Sequence, residues 1–240
     1  MRLFIGICLL VILTISEGKA ENLEIQANGQ KISLAYWPAQ TKKQYGGILI
    51  VKEEPFGEGF TISTNLAKRF AKLGWSVAIL DAQQKDRMAW IGQLPDALSN
   101  LRQKTNKRIV LLYYGSQLQV LLGYFSKLQA KQVNGLILLS AFSEPMAKDE
   151  PELLKKIAFP VLDIMGQFDY TPVLNQIAAR RKTNQNPQYR VIQLPGATHD
   201  YLYNRRMLVA YLHGWMKHLR RTERAKPPVT LMNGFPTRHS

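Results

Sequence analysis

Ile109-Val110-Leu111-Leu112-Tyr113-Tyr114-Gly115-Ser116-Gln117-Leu118 is a continuous apolar run that breaks at a Gly-Ser pair and resumes with helical spacing. Such a run lacks polar alternation, so both faces of the strand are covered, and its direct passage into a helix from Ser116 to Leu128 is the joint of a parallel sheet packed between helices. The same alternation extends both ways. Upstream, Gly47–Val51 and Trp75–Leu80 read as strands around a helix from Thr64 to Leu73 stopped by Gly74, and Leu94–Gln103 reads as the helix before the Ile109 strand. Downstream, Leu136–Leu139, Pro160–Met165 and Tyr189–Leu194 are further strands. A closing helix from Tyr201 to about Arg221 puts Leu208, Leu212, Trp215 and Leu219 on one stripe.

The N-terminal part has a different period. Leu23–Ala27 and Lys31–Trp37 alternate apolar and polar residues around Asn28-Gly29, the strongest short signal for a two-residue hairpin turn. The expected fold class is therefore α/β: a mostly parallel sheet with an N-terminal antiparallel hairpin at one edge and helices on both faces. Only Ala141–Ala158 separates two of the strands at the place where a cap could be inserted, which leaves no room for a large lid domain.

Composition bounds the setting. Arg2, an apolar run from Leu3 to Ile15 and the small-x-small ending Gly18-Lys19-Ala20 have the three regions of a secretory signal peptide. The expected organisation is a signal peptide over 1–20, one domain over 21–221, and a basic tail over 222–240 with Pro227-Pro228, Gly234 and Pro236. The run is shorter than an ordinary membrane span. The single cysteine, Cys8, lies inside the apolar run after Ile7, so cleavage would leave no disulfide, thiol nucleophile or cysteine metal site. Export to the periplasm is expected, with secretion or membrane association as alternatives. Lys and Arg total 32 against 17 Asp and Glu, a net charge of +15. That charge attracts polyanions, and for an exported protein these are lipid headgroups, lipopolysaccharide phosphates or cell-wall polymers rather than nucleic acid.

Two loops carry candidate chemistry. Gly166-Gln167-Phe168-Asp169 follows one strand, and Gly196-Ala197-Thr198-His199 precedes the last helix. With the turn at Tyr113–Gln117, the hairpin and the strand–helix alternation, the chain resembles an α/β-hydrolase across nearly all of its mature length. The segments Gly47–Val51, Leu66–Leu80 and Leu194–Trp215 are similar to a group of exported bacterial hydrolase-like proteins in which the nucleophile is often missing. The resemblance implies a G-x-S-x-G turn, with nucleophile, acid and base in that chain order. On that pattern Asp169 is the acid and His199 the base, but the nucleophile position falls on Gly115, and Tyr113 and Gln117 stand where the two glycines would be.

Two readings of the turn stay open. Glycine meets the strained backbone of a nucleophile elbow without cost, so the turn could persist with its hydroxyl lost. Alternatively Ser116 serves as a displaced nucleophile with His199 and Asp169, a weak ester hydrolase. Ser116-Gln117-Leu118-Gln119 is also an S-x-x-Q capping box, in which the hydroxyl accepts from the N–H of Gln119. The place of an oxyanion-donating turn reads Val51-Lys52-Glu53-Glu54-Pro55, whose carboxylates disfavour a developing negative charge, and Gly57-Glu58-Gly59 behind it could wrap a ligand. Without a nucleophile, Asp169 and His199 would pin the last helix to the sheet or contact a ligand.

Asp163, inside an apolar strand, calls for a structural ion partner. Asp200 is placed to cap the final helix or to add a carboxylate to the pocket. His213 and His218 are five apart on one helix and do not form a metal pair, and His239 lies in the tail. No metal and no cofactor are expected. Tyr114, Phe142, Phe168, Tyr170 and Tyr201 would border a shallow, open pocket as either core or rim, with Tyr114, Phe168, Tyr170 and Tyr201 as the candidate ligand contacts. The expectation is a degenerate, binding or envelope-associated protein on a hydrolase-like scaffold.

Overall fold

A computed structural model describes residues 20–27, 30–53, 62–82, 89–105, 108–127, 133–183 and 185–219. The expectations for the signal segment before Ala20, the Asn28-Gly29 turn, Gly57-Glu58-Gly59, His239 and the 222–240 tail lie outside these residues. The hairpin consists of β1 (Glu21–Ala27) and β2 (Gln30–Trp37), paired antiparallel with Leu23 opposite Leu34 and Ile25 opposite Ile32. Leu23, Ile25, Leu34 and Tyr36 are buried, as the period-2 pattern requires of the core-facing side.

The strand–helix alternation then runs β3 (Gly46–Lys52), α1 (Ile62–Lys72), β4 (Trp75–Asp81), α2 (Ala89–Thr105), β5 (Arg108–Tyr114), α3 (Leu118–Phe125), β6 (Gly135–Leu139), α4 (Glu150–Lys155), β7 (Val161–Phe168), α5 (Thr171–Thr183), β8 (Tyr189–Thr198) and α6 (Arg205–His218). The eight strands lie in the order β1-β2-β4-β3-β5-β6-β7-β8. β2 pairs antiparallel with β4, and every pairing from β4 to β8 is parallel. Successive residues of β5 serve opposite faces. Ile109, Leu111 and Tyr113 join the layer under α2 and α3, whereas Val110, Leu112 and Tyr114 join the layer under α1 and α6. The interval between β6 and β7 holds only the short α4, so no large lid is present. No described helix is long and apolar enough to cross a membrane.

Several boundaries differ from the sequence expectation. α2 begins at Ala89 and passes through Pro95; burial of Trp90, Leu94, Ala97, Leu98 and Leu101 offsets a proline cost of about 3 kcal/mol. α3 ends at Phe125 rather than Leu128. α6 starts at Arg205, not Tyr201, because Tyr201 adopts φ 52°, outside helical geometry. α5 has no strong apolar signature because two of its four buried positions, Val173, Gln176, Ile177 and Arg180, are polar. Their 0, 3, 4, 7 spacing is helical all the same.

Candidate functional site

The register of the parallel strands assembles the site. Lys52 of β3 lies opposite Tyr114 of β5, so the next residue on each strand, Glu53 and Gly115, emerges side by side. The Glu53 N–H donates to the Tyr114 carbonyl at 2.9 Å. From there the Glu53 carboxylate folds over the turn. Its Oε2 accepts from the Ser116 N–H at 2.5 Å, the Ser116 hydroxyl at 3.1 Å and the Tyr113 hydroxyl at 3.3 Å. A Cβ built on Gly115 would meet Glu53 Oε2 at 2.6 Å, Cβ at 2.8 Å and Cγ at 3.0 Å.

This geometry corrects two expectations. Gly115 is not among the residues with positive φ, which include only Gly46, Gly74 and Gly196 of the described glycines. The strained elbow is therefore absent at this position, and glycine serves the close approach of Glu53 rather than a left-handed backbone. Ser116 also does not cap α3. The helix has Gln117 as N-cap without a side-chain bond, and the Gln119 N–H donates to Ser143 Oγ at 2.9 Å. Ser143 reaches the helix because Gln117 and Ser143 form an isolated antiparallel bridge, and the Ser143 hydroxyl in turn donates to buried Glu150.

Tyr113 and Gln117, too bulky for a tight G-x-S-x-G turn, have structural uses. The Gln117 N–H donates to the Tyr113 hydroxyl at 2.7 Å. Trp90 stacks on Tyr113 with centroids 5.9 Å apart and donates Nε1–H to Gln117 Oε1 at 3.2 Å. Burial, and next the Glu53 carboxylate, hold the Tyr113 phenol well above its ordinary value, so it stays protonated and donates. Trp90 carried no motif that would have singled it out.

Asp169 and His199 meet as expected from two loops at the carboxyl ends of β7 and β8. His199 Nδ1 lies 2.6 Å from Asp169 Oδ1. The carboxylate also accepts N–H groups from Gly166 at 3.0 Å and Tyr170 at 2.8 Å, and the hydroxyl of Ser140. Burial alone would raise the Asp169 carboxyl, but the bonds from His199, Ser140 and Gly166 outweigh it, so it lies below its ordinary value. With the carboxylate holding Nδ1–H, the neutral ring presents Nε2 as an acceptor. Among the described residues Nε2 has no hydrogen-bond partner, and the Ser116 hydroxyl is directed at Glu53 instead.

Aromatic rings fix the imidazole. Tyr170 stacks on His199 at 3.9 Å with planes 15° apart, and Tyr114 lies 5.0 Å away at 36°. Phe168 and Tyr170 are exposed at 63% and 57%, in keeping with the expected rim. Tyr201 and Tyr114 belong to the core instead, at 0% and 7%. The Tyr201 hydroxyl is 2.6 Å from Ser140 Oγ, so Tyr201 supports the acid from behind rather than facing a ligand. Ser140, at φ 45°, was not visible in the sequence as a site residue. Beside Tyr170, Phe142, Met146 and Pro172 wall a cavity of about 510 Å³ with Glu144 and Asn175 at its rim.

Asp163 finds its partner: Arg180 Nε donates to Oδ2 at 2.9 Å, and the same guanidinium reaches Glu150 at 2.9 Å and the Ala141 carbonyl at 2.9 Å. Asp200 does not cap α6. It accepts from the Thr198 hydroxyl at 2.6 Å and the Leu202 N–H at 3.2 Å, closing the turn before the helix. The His213 Nδ1 accepts from Trp75 Nε1 at 3.0 Å. No group of His, Cys, Asp and Glu placed to hold a metal occurs among the described residues.

No protein-family model matches the chain, and no curated protein matches it in sequence. Solved structures do match in fold. An esterase domain from Rhodothermus marinus aligns with TM-score 0.66 at 11% identity, covering 84% of this chain and 99% of its own. A dienelactone hydrolase from Anabaena variabilis gives 0.65 at 15%, covering 85% and 100%. A lidless α/β serine hydrolase from Xanthomonas campestris gives 0.63 at 16%, covering 85% and 97%. Sheet order, loop placement and these likenesses agree that the chain has the α/β-hydrolase fold without a large lid.

Proposed function

We propose that this is an exported, non-catalytic protein on an α/β-hydrolase scaffold, which uses the former catalytic face and a basic surface for binding at the cell envelope. The observation that carries the reading is the Glu53 carboxylate on Ser116. In a working hydrolase the N–H of the residue after the nucleophile faces the substrate oxyanion, and loss of one such donor costs about a hundred- to thousand-fold in turnover. Here that N–H and the Ser116 hydroxyl both donate to one carboxylate oxygen. A negative charge already in place repels a second one developing beside it.

The retained Asp169–His199 pair fits a binding role. It presents an oriented Nε2 acceptor next to Tyr170 and an apolar cavity, an arrangement that holds a ligand with an apolar body and a hydrogen-bonding group. Export is supported by Arg2, the Leu3–Ile15 run and Gly18-Lys19-Ala20; envelope association is supported by the +15 charge. Fluorophosphonate probes and short-chain p-nitrophenyl esters test the first part, with labelling and hydrolysis expected at background. Labelling that disappears in both Ser116→Ala and His199→Ala would instead establish a serine hydrolase built from Ser116, His199 and Asp169. Binding to anionic vesicles or lipopolysaccharide tests the second part: it should fall steeply as salt rises. Indifference to salt would reduce the charge to solubility.

A further inference from the structure

At the opposite pole of the sheet from His199, the amino ends of β6, β7 and β8 and the last turn of α6 enclose a second groove of about 730 Å³. Phe159, Pro187 and Trp215 give it apolar walls; Arg190, His218 and Gln188 give it polar ones. Among the described residues no Asp or Glu lines it. Arg190 and His218 are exposed, and neither is ion-paired among the described residues. The carbonyls at the end of α6 would repel an anion, but Arg108 Nη1 already donates to those of Met216 and Lys217 at 2.9 and 2.7 Å.

Trp215 packs against the core beside the start of β6. A Cβ on Gly135 would stand 2.8 Å from Trp215 Cη2, so glycine at the start of β6 admits the edge of the indole ring. Trp37, Trp75 and Trp90 are 4%, 0% and 1% exposed, whereas Trp215 is only partly buried. An indole, a guanidinium and an imidazole lining one concavity, with no acid among its described lining residues, combine a flat apolar face with anion donors. A free inorganic anion would use only Arg190 and His218, and a flat membrane surface would not fill a concavity.

We propose that this groove binds an anionic saccharide, with a sugar ring against Trp215 and its acid group between Arg190 and His218. The site is independent of the hydrolase-like pocket, and its test does not depend on that pocket's role. The probe is trigalacturonate, titrated at low salt into the full-length protein and followed by tryptophan fluorescence, to which Trp215 is the partly accessible contributor. A saturable change is expected, at least tenfold weaker for the fully methyl-esterified trisaccharide and at least tenfold weaker in Arg190→Gln/His218→Gln. Lys104→Gln removes an exposed cation that does not line the groove and should stay within twofold. Both side chains of the double variant are exposed, so its melting temperature should match that of the unaltered protein.

Absence of saturable binding, equal affinity for the ester, or an equal loss in Lys104→Gln would overturn the proposal. So would inorganic phosphate binding as tightly as the saccharide, which would make the groove a plain anion site. Phosphatidylglycerol vesicles should bind the double variant and the unaltered protein alike. A selective loss on vesicles, with none on the saccharide, would assign the groove to lipid and refute the saccharide.

Discussion

Adding one methyl group at Gly115 tests the central reading. The added Cβ would sit 2.6 Å from Glu53 Oε2 and 2.8 Å from Glu53 Cβ. The carboxylate end can rotate away, but the Cβ is fixed to the backbone just past β3, so strand or turn must shift. Overpacking of this kind costs about 1–3 kcal/mol. Since Gly115 is not left-handed, alanine there is otherwise compatible, and the entropy it removes from the unfolded chain returns about 0.4–1 kcal/mol. Gly115→Ala should therefore lose about 1–2 kcal/mol in the unaltered background. In a Glu53→Gly background, which removes the offending Cβ as well as the carboxylate, the same substitution should be neutral or stabilising. Urea unfolding of the four proteins in a double-mutant cycle measures the difference. Effects of Gly115→Ala that agree within about 0.5 kcal/mol in the two backgrounds would refute the steric coupling of Gly115 and Glu53.

The two serines near α3 should rank opposite to the capping-box expectation. Ser143→Ala removes the acceptor for the Gln119 N–H and a donor to Glu150, costing about 1–2 kcal/mol, while Ser116→Ala should cost less than about 1 kcal/mol; the reverse order in urea midpoints would contradict the geometry. Burial alone would lower the Arg180 pKa, but Asp163, Tyr189 and Glu150 raise it. Arg180→Met leaves two buried carboxylates uncompensated and should cost about 3–5 kcal/mol, so a loss below about 1 kcal/mol would show that the cluster is not the structural tie it resembles. For Asp169 the folded pKa is depressed, so the unfolded chain takes up the proton first. Its contribution is complete above the ordinary carboxylate value of about 4 and is lost as pH falls through the folded value. The stability gap between the unaltered protein and Asp169→Asn should narrow over that range, and a gap that widens on acidification would reverse the sign of the argument.

Long apolar strands and the two loop motifs made the sheet, the hairpin and the Asp169–His199 pair legible in the sequence, because each rests on local periodicity or on a residue type at the end of a strand. The Glu53 contact was out of reach. Two carboxylates were seen to disfavour an oxyanion, but only the strand register puts Glu53 beside Gly115. Ser140 escaped, and Tyr201 was read as a ligand contact rather than as support behind Asp169, for a related reason: both adopt positive φ, which sequence signals chiefly through Gly, Asn and Asp. Asp163 was read correctly as a paired charge, yet its partner Arg180 lies on α5, a helix whose buried face is half polar and so gave no amphipathic signal.

The packing of Glu53 against Gly115 also acts as a ratchet on the substitutions open to this chain. A serine at 115 would be strained in the unaltered background, because the position that its Cβ would take is filled by Glu53. Loss of Glu53 alone supplies no hydroxyl at 115. Any stepwise route to an elbow serine must cross an intermediate that is either strained or hydroxyl-free, so each of the two residues holds the other in place.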